Sequence, residues 1–98
     1  MKTKLIIVAI LLSTLLLAAC SASAPKLTNA GNEAFAQQAY DDALQAYNEA
    51  QVKSPELAEP YYNAANALYR QGNYEEALKQ LQKALQLGQS EALAELAK

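Results

Sequence analysis

The sequence predicts an all-α fold: two stacked helix–turn–helix repeats closed by a short C-terminal helix. Three observations carry this reading. The segment AYDDALQAYNEA from Ala39 returns as NYEEALKQLQKA from Asn73, pairing Tyr40 with Tyr74, Ala43 with Ala77, Leu44 with Leu78 and Ala50 with Ala84, all at one constant interval. Beyond Cys20, apolar residues recur at spacings of three and four, with no alternating strand pattern among them. Breakers separate the periodic stretches, at Ser54-Pro55 and at Gly72. A unit repeating at this period cannot bury its apolar face alone and stacks on a neighbour. Such a stack offers a binding surface and no enclosed catalytic cleft.

The chain opens on other chemistry. Lys2 and Lys4 precede an apolar run from Leu5 to Leu17, interrupted only by Ser13 and Thr14. That is the layout of a secretory signal, and it falls short of the ~20 residues that cross a bilayer core. Leu17-Ala18-Ala19-Cys20 ends the run and resembles the bacterial lipobox. The resemblance implies that residues 1–19 are removed and that Cys20 carries lipid. It places the protein in the cell envelope, on the periplasmic face of the outer membrane in a Gram-negative host, where Ser21 fits the sorting pattern. Cys20 is the only cysteine; in an exported chain an odd cysteine otherwise remains a free thiol. Several acyl chains on one residue anchor stably. The rival is a plain secreted protein cut after Ala22-Ser23-Ala24, which sets Pro25 awkwardly behind the scissile bond.

From Cys20 onward there are six basic and ten acidic residues, a net charge of −4, with no basic stripe. This excludes a nucleic-acid partner. The span 20–98 suffices for one small domain, read as the lipidated cysteine and tether over 20–26 and a repeat domain over 27–98.

Leu27, Ala30, Gly31, Ala34 and Phe35 share one face of a first helix. A second helix covers 40–53, with Ala43, Leu44, Tyr47 and Ala50 inward and Asp41 and Asp42 in its first turn, where they complement the helix dipole. Ser54-Pro55 stops it, because a residue before proline avoids the helical region. The third helix covers 59–71, with Pro60 in its first turn. Gly72 closes it in the left-handed conformation. Asn73 and Glu76 have the spacing of a capping box for the fourth helix, which is expected to stop at Gly88. Ser90 then opens a short helix over 90–98 that lays Leu93 and Leu96 over the second repeat as a cap.

These residues resemble the tetratricopeptide repeat, a 34-residue helix–turn–helix unit. One copy spans about 24–57 and the other about 58–91. Tyr61, and more loosely Leu27, match the aromatic anchor; Gly31 and Ala65 match the small residue where helices nearly touch. GNYEEAL matches the turn, Ala43, Ala77, Ala50 and Ala84 match the second-helix alanines, and Pro55 matches the closing proline. Three positions depart: Gln38-Ala39 replaces the glycine turn, Gln89 replaces the second closing proline, and Leu68 stands where tyrosine is commoner.

The resemblance implies a right-handed α-solenoid whose first helices line a concave groove. The groove positions are Thr28, Asn29, Asn32, Phe35 and Ala36 in one copy and Tyr62, Asn63, Asn66, Tyr69 and Arg70 in the other. Asparagines both donate and accept toward an extended peptide backbone. Tyr62 and Tyr69 offer rigid area with a polar tip, and Arg70 suits a carboxylate. Phe35 and Tyr69 serve equally well as packing between helices. Asn32 and Asn63 match positions that clamp a terminal carboxylate in some family members, but Thr28 replaces a clamp lysine, so a full clamp is not expected.

Catalysis finds no support. The chain has no histidine, hence no histidine base and no histidine metal ligand. The acidic pairs Asp41-Asp42 and Glu75-Glu76 begin helices, where adjacent residues do not face each other. No cofactor or metal is expected. The sequence thus reads as a lipid-anchored adaptor with a protein or peptide partner. Two rivals stand beside it: a homodimer that completes the stack, and a peptidoglycan-binding accessory module that stacks sugars on Tyr62 and Tyr69.

Overall fold

Two helical hairpins of matching register follow each other in a computed structural model that describes residues 22–97. The first is α1 (Ala24–Ala36) and α2 (Tyr40–Lys53); the second is α3 (Ala58–Arg70) and α4 (Tyr74–Leu96). Both helices of the second hairpin begin at the same interval from their counterparts, Ala58 after Ala24 and Tyr74 after Tyr40. The helices of each hairpin lie side by side, and α3 packs mainly on α2 while touching α1. No strand occurs among the described residues. The apolar leader and Cys20 lie outside them.

Helix α1 starts ahead of Leu27. Ser23 caps it, its Oγ accepting from the Lys26 N–H at 3.4 Å, and Pro25 sits in the first turn, where a missing N–H is harmless. Residues 24–26, expected as tether, are therefore helical.

Both hairpin turns use one motif. The N–H of Gly72 donates to the Tyr69 carbonyl and that of Asn73 to the Leu68 carbonyl; in the first hairpin Gln38 donates to Phe35 and Ala39 to Ala34. These are the paired bonds of a Schellman cap. The motif needs a left-handed residue, which is Gly72 at φ 81° in one turn and Gln38 at φ 61° in the other. Glutamine accepts this conformation at a cost of about 1 kcal/mol, so the missing glycine changes the energy of the turn and leaves its shape intact.

The expected capping box does not form. Asn73 makes no side-chain cap bond, and its backbone N–H, which Glu76 would have to reach, already serves the Leu68 carbonyl. Glu76 pairs instead with Lys79 at 3.1 Å.

The larger correction concerns the C-terminal end. No separate capping helix forms over 90–98: α4 runs through Gly88 to Leu96, leaving Leu93 67% and Leu96 83% exposed. The reason shows in the equivalent place of the first repeat. Ser54 is extended (φ −141°, ψ 80°) ahead of Pro55 and ends α2. In the second repeat Gly88 and Gln89 occupy those places. A glycine within a helix costs only about 1 kcal/mol relative to alanine, too little to stop it.

The core is built from small residues. Ala43, Tyr47, Ala64 and Ala67 form its buried centre, with Ala34, Phe35, Tyr40 and Leu44 packed against them. Alanine on facing helices lets backbones approach closely, and Tyr47 supplies the bulk. Its ring lies across Gly31, where a Cβ would stand 2.6 Å from Tyr47 Cδ1. The second repeat makes the reciprocal choice, with Ala65 for Gly31 and Leu81 for Tyr47: a larger residue on one helix meets a smaller one on the other. Polar ties cross the hairpins, from Gln51 Nε2 to Gln80 Oε1 at 2.9 Å and from Gln71 Nε2 to Asp41 Oδ1 between the two turns. No described helix is long and apolar enough to cross a membrane.

Candidate binding groove

The inner surface is made where α1 and α3 run alongside each other above Tyr47. Asn32, Phe35, Tyr47, Asn63 and Asn66 line a notch of about 120 Å³ there. The Tyr47 hydroxyl donates to Asn32 Oδ1 at 2.7 Å, and Asn63 Nδ2 donates to the same oxygen at 3.1 Å. Burial, and then the negative Glu59, push the Tyr47 hydroxyl above its ordinary pKa, so it stays a proton donor at neutral pH. Two donors on one oxygen fix the Asn32 amide and leave its Nδ2 without a partner among the described residues. Asn63 keeps its own oxygen as an acceptor.

Asn66 is the counterpart of Asn32, but Leu81 replaces the tyrosine beneath it. It is exposed and makes no hydrogen bond to another described residue, so both its donors and its acceptor face solvent. The notch therefore presents a fixed donor and acceptor beside a free amide, the pattern that pairs with an extended backbone.

Arg70, the last residue of α3, does not line the notch but borders it through Phe35, its Cζ 6.0 Å from the Phe35 ring centroid, within reach of a cation–π contact. Phe35 in turn meets Tyr40 edge-to-face at 5.4 Å. Of the two roles open to Phe35, packing is the one observed, with Arg70 held over its outer face. Tyr69, by contrast, is 62% exposed and leans on Tyr74 at 5.2 Å.

Thr28 does not face the groove. It is buried, and its hydroxyl donates to the Ala24 carbonyl at 2.8 Å, a local bond that helical threonines make readily. Asn29 and Ala36 are exposed on α1 but do not line the notch. Tyr62 and Tyr69 lie apart as well, in a second trough of about 500 Å³ on the outer side of the second repeat, where Asn66 also contributes. The predicted set thus forms no single groove: Asn32, Phe35, Asn63 and Asn66 line the notch, Tyr62, Asn66 and Tyr69 the trough, and Tyr62 also meets Thr28 at a further pocket of about 560 Å³. Tyr47 is the groove residue that sequence reasoning placed only in the core. The signal for it was a large polar-tipped residue at the inward face of α2, opposite a glycine.

Among the described residues no cluster of acids, histidines or cysteines is arranged to hold a metal.

A family profile described as Tetratricopeptide repeat matches residues 27–90. The chain is also similar to the Hsp70-Hsp90 organizing protein of Triticum aestivum, 40% identical over 57 residues. That match takes in 58% of this chain and only 10% of the wheat protein.

Proposed function

The chain belongs to the tetratricopeptide repeat family, and on that premise we propose that it is a lipid-anchored adaptor of the bacterial envelope that captures an extended segment of a partner protein. Protein–protein interaction is the coarse function that the repeats and the similarity to the wheat organizing protein support. The finer reading rests on one observation: the amide oxygen of Asn32, at the lining of the notch, is held by both Tyr47 and Asn63, which leaves its N–H groups as donors for a ligand. A preset donor binds a peptide carbonyl without first losing rotamer freedom. Arg70, over the notch residue Phe35, suits an acidic side chain or terminal carboxylate.

Panning a random peptide library against the full chain in detergent tests this reading. The expected ligands are extended and carry an acidic residue at one end. Asn32→Ala and Asn63→Ala should each weaken them about tenfold, the effect of losing one or two hydrogen bonds in a partly shielded site. Asn63→Ala should leave the melting temperature little changed, while Asn32→Ala should also lower it, since the buried Tyr47 hydroxyl loses its acceptor. Ligands with helical periodicity, or affinities indifferent to both substitutions, would overturn it.

Anchoring rests on the Leu17-Ala18-Ala19-Cys20 motif behind its apolar run. Cys20→Ser is expected to leave an uncleaved precursor that incorporates no labelled palmitate. A variant processed to normal size would defeat this part of the proposal and leave the groove untouched.

A further inference from the structure

The second repeat has an open seat for a helix, and α4 carries the helix that fits it. In the trough on the outer side, Ala65, Tyr69, Tyr74, Ala77, Leu78 and Leu81 lie together. In the register of the repeats they are the equivalents of Gly31, Phe35, Tyr40, Ala43, Leu44 and Tyr47, the surface of the first repeat against which α3 lies in the core. The trough therefore continues the internal interface by one repeat. What covers it in the first hairpin is a helix; in the second, Tyr69, Tyr74 and Leu78 are 62%, 63% and 55% exposed.

The overhang of α4 has the opposite need. Residues 89–97 are all exposed, and they prolong a single apolar stripe. Tyr74, Leu78, Leu81, Leu85, Gly88, Ala92 and Leu96 follow at spacings of three and four, one side of a helix and the pattern of a helix–helix seam. Helix α4 has six charged residues, and none falls on the stripe. A face kept free of charge over the whole helix is suited to a dry contact and is not an ordinary solvated surface.

We infer that the partner for this surface is a second copy of the chain, paired through α4 in antiparallel fashion about a two-fold axis at Leu85. The register makes the stripe self-complementary. With Leu85 opposite its own counterpart, Leu78 meets Ala92 of the other copy and Tyr74 meets Leu96, so large residues face smaller ones. Leu81 falls beside Gly88, on whose side-chain face no atom lies within 4 Å. The overhang of each copy fills the trough of the other, and both exposed surfaces are covered in one closed, isologous contact. The homodimer weighed from the sequence completes the stack with no particular face assigned; this one uses the second repeat and leaves Asn32 and Asn63 of the notch free, while Asn66 borders both notch and trough. It does not depend on the lipid.

Single-cysteine crosslinking in the full chain, held in detergent, tests it. Leu85→Cys stands on the axis and is expected to give a disulfide dimer under mild oxidation, since two cysteines at an axis reach the separation the bond requires. Lys83→Cys, off the stripe, should not, and the wild-type chain with Cys20 alone sets the background. The pair Tyr74→Cys with Leu96→Cys is expected to crosslink two copies as well. In light scattering the wild-type chain should show twice the monomer protein mass, and Leu78→Glu should halve it while circular dichroism keeps its helical signal. Leu85→Cys that crosslinks no better than Lys83→Cys overturns the inference. So does a wild-type chain of monomer mass, a crosslink to a different protein in cells, or a site at Leu85 shielded only by added lipid vesicles.

Discussion

Tyr47→Ala is expected to leave the repeat module largely unfolded. Tyr47 is 1% exposed and is the bulky member of a core otherwise made of alanines. Truncating a buried aromatic costs about 3–5 kcal/mol, while a domain of this size is stabilised by only about 4–11 kcal/mol in total. Thermal melting followed by circular dichroism should show the transition lost or moved far down. Tyr47→Phe separates the ring from the hydroxyl. It keeps the volume and removes one donor from Asn32, a cost of about 1 kcal/mol. It also removes a pH dependence. Burial and Glu59 raise the Tyr47 pKa above its ordinary 10, so above pH 10 the unfolded chain gives up this proton more readily than the folded one. The contribution is intact below pH 10 and is lost as pH rises through the folded value. The wild type should therefore lose more stability in that alkaline window than Tyr47→Phe; equal losses would mean the hydroxyl is not held as described.

The second large effect is expected from the smallest change. Gly31→Ala places a methyl group against the Tyr47 ring. Alanine is the better helix former by about 1 kcal/mol, yet overpacking of this kind costs about 1–3 kcal/mol or more, and here the intruding carbon is fixed to a helix backbone. The net change is destabilising. Pairing it with Tyr47→Leu recreates the Ala65 and Leu81 combination of the second repeat. The double variant should therefore be more stable than the sum of the two single losses by at least about 1 kcal/mol. Strict additivity in denaturant melts would show that the two residues do not share the space attributed to them.

The same register explains what the sequence made legible. Hairpin limits could be read because Pro55 and Gly72 break helices for reasons local to the chain. Gly31 and the inward alanines followed from periodicity and the self-match. The continuation of α4 was not legible, since it depends on how weak a breaker glycine is once proline is missing, a balance of about 1 kcal/mol that neighbouring residues decide. Thr28 was misplaced for a similar reason: the earlier start of α1 supplies the Ala24 carbonyl that its hydroxyl uses. The bond between Tyr47 and Asn32 joins two separate helices, and no local pattern announces it.

The early start of α1 limits how the molecule can stand at a surface. Only residues 21–23 separate Cys20 from the first helical turn, and a stretch that short spans at most about 10 Å. An acyl anchor at Cys20 would hold the module within one helix diameter of the lipid headgroups, with little freedom to tumble. Pro25, just behind the tether, shares a pocket with Leu85 of α4, so in the two-fold pair both tethers leave near the axis, and both must reach one bilayer. The helices would then lie along the membrane plane. Labels at the two ends of α4 should be quenched equally by a lipid-phase quencher, and a gradient between them would speak against this posture.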